Sequence, residues 1–210
     1  MSSAKINLAG SELGPVRHVC AFFNSKEEEY NTLIPFLKEG LENGDKAFHI
    51  VDKRGHDEHL DTLLNSGIDL KASTKKNQFE VKPWEEAYLR DGNFKQERML
   101  ELIEQVLTKG KSEGFPLTRL WANMEWALED REGVEQIVEY ETRLNYILPK
   151  YQDPVICTYD LAKFGGDIVL DILRTHPMVI IGGILQKNPF FVPPDQFLRE
   201  LKEQPRSYCA

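Results

Sequence analysis

Glu125 is set between Met124 and Trp126 at the end of an apolar run, Thr118–Met124. A carboxylate in such surroundings loses solvation, which suits it to anchor a ligand or to act as an acid or base. The same residue type also caps backbone or pairs with a cation, and Arg119, Arg131 and Arg143 are available. Asp160 follows a second apolar run, Val155–Tyr159, and offers the same alternatives of ligand contact and helix cap. Trp126 and Tyr159 beside these acids read either as a ligand cage or as core.

Parallel sheets bind ligands at the carboxyl ends of their strands. The residues just after each apolar run therefore define the candidate rim. It comprises Phe23, Asn24 and Ser25 after the first run, and Asp52 after the second. Trp84 and Tyr88 come after the third, Met124, Glu125 and Trp126 after the fourth, and Tyr159 and Asp160 after the fifth. Rich in aromatic rings, this set suits a small apolar or cationic ligand.

A nucleotide is a poor fit. The junction Phe23-Asn-Ser-Lys-Glu-Glu-Glu29 has no glycine to let backbone N–H groups close on a phosphate. Its three glutamates sit in the first turn of the next helix, where they neutralise the dipole and repel anions. Ser25 with Glu28 fits a capping box that satisfies the helix start internally. Gly-x-Ser-x-Gly, His-Glu-x-x-His and Cys-x-x-Cys patterns are absent, so nothing supports catalysis, and no catalytic residue, cofactor or metal is expected. His56 and His59 have a spacing that metal ligands share, but two solvated histidines are the favoured reading, and His49 reads as a core residue. His176-Pro177 reads as a structural turn. Cys20, Cys157 and Cys209 are too dispersed for a disulfide framework or zinc site, and the first two read as small buried hydrophobes.

The elements that position these residues alternate. Strands are expected at Arg17–Phe23, Lys46–Val51, Gln78–Lys82, Thr118–Met124, Val155–Tyr159 and Met178–Ile181. Helices are expected at Lys26–Glu42, His56–Asn65, Phe94–Glu113, Gly133–Leu148 and Ile168–Arg174, with a hairpin at Gly182-Gly183 and a last helix near Pro193. Asn93 with Gln96 suggests a second capping box. This order predicts an α/β three-layer sandwich with a mostly parallel central sheet. One domain, 15–204, is expected, with 1–14 and 205–210 as loose ends. The 210 residues are 41% hydrophobic and 29% charged with a net charge of −8, which disfavours direct nucleic-acid binding or docking on an anionic membrane. No secretory leader is evident, and a cytoplasmic protein is expected.

Several segments share their order and spacing with one family. They are His18-Val-Cys-Ala-Phe-Phe23, Pro35-Phe-Leu-Lys-Glu-Gly-Leu41, Trp121-Ala-Asn-Met-Glu-Trp-Ala127, Tyr140-Glu141 with Asn145, Cys157-Thr-Tyr-Asp160, His176-Pro177, and Asn188-Pro-Phe-Phe-Val-Pro-Pro194. The chain thereby resembles the MEDS domain family, sensory modules of methanogens, methylotrophs and a dichloromethane-responsive repressor. The resemblance implies a RecA/KaiC-like fold lacking its phosphate-binding loop, and sensing of a small organic molecule. The expected output is a histidine kinase, a transcription regulator or the chain's own oligomer, because no helix-turn-helix or kinase region fits beside the sensory domain. Two other classes stay open: a non-catalytic RecA-like interaction module, motivated by Phe190-Phe191-Val192, and an enzyme built on Glu125 and Asp160.

Overall fold

The computed structural model describes residues 5–204. It opens with two short strands, β1 (Ile6–Leu8) and β2 (Ser11–Leu13). Then come β3 (His18–Phe23), α1 (Lys26–Glu42), β4 (Lys46–Val51), α2 (His56–Asn65), α3 (Leu70–Lys75) and β5 (Phe79–Pro83). The second half holds α4 (Gln96–Ser112), β6 (Thr118–Asn123), α5 (Ile137–Ile147), β7 (Val155–Asp160), α6 (Gly166–Thr175), β8 (Met178–Ile181), β9 (Ile184–Lys187) and α7 (Pro194–Glu203).

Seven strands form one sheet in the order β5-β4-β6-β7-β3-β8-β9. All neighbours run parallel except the β8–β9 hairpin. Every residue of β3 and β4 is buried, as strands covered on both faces require. Successive side chains then serve opposite layers. Cys20 and Phe22 enter a core with Met99 and Ile103 of α4, Leu144 of α5, Ile172 of α6 and Phe197 of α7. Val19, Ala21 and Phe23 enter the other, with Leu33 and Leu37 of α1 and Leu63 of α2. The expected α/β sandwich with a mostly parallel sheet is thus observed, C-terminal hairpin and helix included.

Four expectations need correction or refinement. Residues 6–13 are no loose end: Ala9 and Gly10, both at positive φ, turn a hairpin whose Ile6, Leu8 and Leu13 are buried beside α1. The box at Asn93 does not form, because α4 begins at Gln96, whose amide instead donates to Gln136 Oε1 at 3.2 Å. The Ser25 box does form, in altered shape: Ser25 accepts from Glu28 N, while Glu28 Oε2 accepts from Asn24 N at 2.8 Å. Of Phe190, Phe191 and Val192, only Phe190 is a large exposed hydrophobic that stands out, at 65% exposure. Residues 205–210, and Cys209 with them, lie outside the described residues.

One buried ion pair joins the layers at the amino end of the sheet. Arg119, 1% exposed, donates from Nε to Asp45 Oδ2 at 2.8 Å and from Nη1 to Phe36 O at 2.6 Å. Its guanidinium lies over the Phe36 ring. Gly40 makes room for it, since a Cβ there would overlap Arg119 Nε.

Candidate functional site

The carboxyl ends of β3, β4, β6 and β7 open into a cleft of about 300 Å³. Its walls are Lys26, Glu29 and Tyr30 from α1, Asp52 and Arg54 after β4, Glu58 and His59 from α2, Trp121, Asn123 and Glu125 along and after β6, and Lys163 after β7. Most of the charges are internally matched. Lys163 Nζ lies 2.5 Å from Glu125 Oε2 and 3.5 Å from Asp160 Oδ2. Arg54 bridges Asp52 and Glu129, and Lys26 reaches Glu58. Glu29 has no cation at ion-pair distance among the described residues; its Oε1 accepts from Trp121 Nε1 at 2.8 Å. Burial pushes the Glu29 carboxyl above the ordinary range, against hydrogen bonds from Thr158 and Trp121 that hold it down.

The expected rim residues divide sharply. Asp52 and Glu125 line the cleft, Asp160 sits behind Lys163 and also accepts from Ala162 N at 2.9 Å, and Asn24 and Ser25 are exposed at the start of α1. Trp84 is buried under a neighbouring groove, donating from Nε1 to Asn123 O at 3.2 Å. Phe23, Tyr88, Met124, Trp126 and Tyr159 are all 2% exposed or less. Tyr88 stacks on Trp126 with ring centroids 4.6 Å apart, and its hydroxyl faces Met124 Sδ. The aromatic cage is therefore core, and the cleft is polar. Its aromatic surface comes from Trp121 and Tyr30, which were not among the expected residues. The alternation that sends Ala122 to one core and Trp121 to the other carries the Trp121 ring to the α1–α2 side, against His49, His59 and Tyr30.

His59 is buried rather than solvated, at 3% exposure. Its Nδ1 is 2.7 Å from the Tyr30 hydroxyl and its Nε2 is 2.9 Å from Nδ1 of His49. Burial, then the charges of His56 and Lys26, holds His59 down to about 4, and burial with His59 nearby lowers His49 as well. In the unfolded chain a histidine titrates near ~6.5, so on acidification the unfolded state takes the proton first. Stability is complete above that value and is lost as pH falls toward the folded-state value. Between pH 7 and 5, His59 alone should remove about 2 kcal/mol of unfolding free energy. Urea titrations at the two pH values check this: His59→Gln should lose a smaller increment than the parent, and an equal loss would refute the assignment.

A second constellation lies inside the molecule. His18 from the start of β3, Glu141 from α5, Cys157 from β7 and His176 from the α6–β8 junction place one donor atom each within 4.8 Å of all the others. His18 Nε2 and His176 Nε2 each lie 3.2 Å from Glu141 Oε2. Cys157 Sγ is 3.7 Å from that oxygen and 4.0 Å from His18 Nε2. Burial pushes the Glu141 carboxyl up, but the His176 and His18 contacts outweigh it and hold it down to about 2. Burial raises the Cys157 thiol and lowers His176. Each of the four is 3% exposed or less.

These four positions, with Asn145, all fall in the segments that carry the family resemblance, yet their convergence was not foreseen. One signal was present. Glu141 lies on the apolar stripe of its helix with Ile137, Val138 and Leu144, where a carboxylate must find buried partners.

Residues 17–177 match the sequence profile of MEDS, the MEthanogen/methylotroph, DcmR Sensory domain. Among curated proteins, the chain is similar to the transcriptional repressor DcmR of Methylorubrum extorquens, 28% identical over 184 residues that cover 83% of this chain and 63% of the repressor. The chain thus spans less than two thirds of that relative's length. Among solved structures it is similar to a KaiC-like protein of Pyrococcus horikoshii, at 16% identity with a TM-score of 0.55, covering 78% of this chain and 69% of the other. At that identity the likeness shows the fold, which is RecA/KaiC-like. By the extent of the profile match, the chain belongs to the MEDS family.

Proposed function

We propose that this MEDS-family chain is a sensory module that takes a small polar organic molecule in the cleft at the strand carboxyl ends. The observation that carries this reading is the cleft's chemistry. A pocket of about 300 Å³ at the position favoured by parallel sheets is walled by Glu29, Asn123, Glu125, His59 and Trp121, with no glycine cradle for phosphate. Such groups offer hydrogen bonds and one flat apolar wall, which suits an alcohol, amine or similar small molecule better than a nucleotide.

A sensory and signalling role is common ground with the family and with the repressor relative. The finer reading is that ligand occupancy is passed to a transcription regulator or histidine kinase, or to a second copy of the chain, in the cytoplasm. Cys20 and Cys157, in register on paired strands and not joined in a disulfide, suit that compartment. Among the described residues, no helix is long and apolar enough to cross a membrane.

A thermal-shift screen against small alcohols, amines, carboxylic acids and halogenated hydrocarbons tests this. Compounds that bind raise the melting temperature with concentration by mass action. Glu125→Gln, which loosens Lys163 and changes the cleft wall, should weaken the response at least several-fold. A shift that Glu125→Gln leaves untouched, or no shift at millimolar concentrations across the panel, would count against the cleft.

A further inference from the structure

The hydrogen bonds around the buried cluster fix where its protons are. Asn145 donates from Nδ2 to the carbonyls of Glu141, Thr142 and Thr175, which orients its amide and leaves Oδ1 facing His18 Nδ1 at 3.1 Å. That ring nitrogen must therefore donate. His176 Nδ1 lies 2.7 Å from Thr175 Oγ1, whose hydroxyl donates to Ile172 O, and 3.0 Å from that carbonyl, an acceptor only, so it donates too. Each Nε2 then either carries a second proton toward Glu141 Oε2, as in the metal-free pairs, or offers its lone pair to an ion that takes that proton's place. Glu141 Oε1 and His176 Nε2 make no hydrogen bond among the described residues. Two imidazole nitrogens, a carboxylate and a sulfur converge, and the hydrogens between them, the Cys157 thiol hydrogen toward Glu141 Oε2 among them, are ones an incoming ion displaces.

We propose that His18, Glu141, Cys157 and His176 form a closed site for one divalent transition-metal ion of the zinc type. A tetrahedral ion bonded at ~2.0–2.3 Å to N, O and S atoms keeps those atoms about 3.3–3.8 Å apart. Four of the six separations, 3.2, 3.2, 3.7 and 4.0 Å, lie within a few tenths of an ångström of that range, and all six are within 4.8 Å. Charge balances as well: a thiolate and a carboxylate neutralise a dication, and the thiol proton and any proton on the two Nε2 atoms leave to solvent on binding. The Nδ1–H bonds to Asn145 and Ile172 are the outer contacts that set the tautomer of a metal-bound histidine. With four protein donors, all buried, the site keeps no open coordination position. The ion joins β3, α5, β7 and the α6–β8 junction, and this holds wherever an organic ligand binds.

Cobalt(II) titration of the chelator-stripped full chain, in a Cys209→Ala background, tests the proposal. The expected result is saturation at one ion per chain, with a thiolate-to-cobalt charge-transfer band and the intense d–d bands of a four-coordinate ion, all displaced by zinc. Cys157→Ser, nearly isosteric, should lose the charge-transfer band and weaken binding at least tenfold. No cobalt spectrum from folded parent protein would overturn the site, as would a spectrum that Cys157→Ser leaves unchanged. If that variant does not fold, the parent's stoichiometry and charge-transfer band decide.

Discussion

Glu141→Ala is expected to lower the unfolding free energy by about 3–5 kcal/mol in chelator-containing buffer at pH 7, the loss typical of breaking a buried ionic cluster from one side. The carboxylate is fully buried and lies against both His18 and His176. Its removal leaves two imidazole nitrogens in an apolar core without their acceptor and opens a void beside Cys157. Glu97 provides the contrast. It lies 3.2 Å from Arg143, but that pair is largely exposed, so Glu97→Ala should cost well under ~1 kcal/mol. Urea denaturation of the two variants side by side is decisive: similar small losses would show that Glu141 is not the keystone of the cluster.

Asp45→Ala is expected to cost a similar amount, about 3–5 kcal/mol. It removes the principal counter-charge from Arg119, whose side chain is 1% exposed and keeps, among the described residues, Phe36 O and the half-buried Glu39 as its hydrogen-bond partners. Burial pushes the Asp45 carboxyl up, while the Arg119 contact holds it down, so the pair is worth most when Arg119 is intact. In an Arg119→Met background the charge is already gone, and Asp45→Ala should cost markedly less. Equal costs in both backgrounds would contradict coupling between the two.

Much of the fold was legible because its elements are long and cleanly bounded. Lys46–Val51 is an apolar strand between turn signals, and Lys26–Glu42 runs from a serine cap to Asn43-Gly44. What escaped was short. The strands Ile6–Leu8 and Ser11–Leu13 have three residues each, too few to show a period, and Leu70–Lys75 is little more than a helical turn. The cleft's location came from topology, but its lining did not. A residue after a strand can turn outward, as Glu125 does, or fold back, as Trp126 does under Phe94 and Tyr88. That choice depends on loops such as 124–136, whose path is set by packing rather than by local sequence. The buried cluster was hidden for a related reason: its members are up to 158 residues apart (His18 to His176), and each taken alone has a bland explanation.

The most direct test of the sensory reading is a proton–nitrogen correlation spectrum of the labelled chain titrated with small polar organic molecules. A binding compound is expected to shift the amides of Val51–Gly55, Trp121–Glu125 and Lys163 together with the Trp121 indole N–H, which Glu29 holds at 2.8 Å inside the cleft. Shifts confined to residues away from these strand ends, or a spectrum unmoved by every compound, would contradict it.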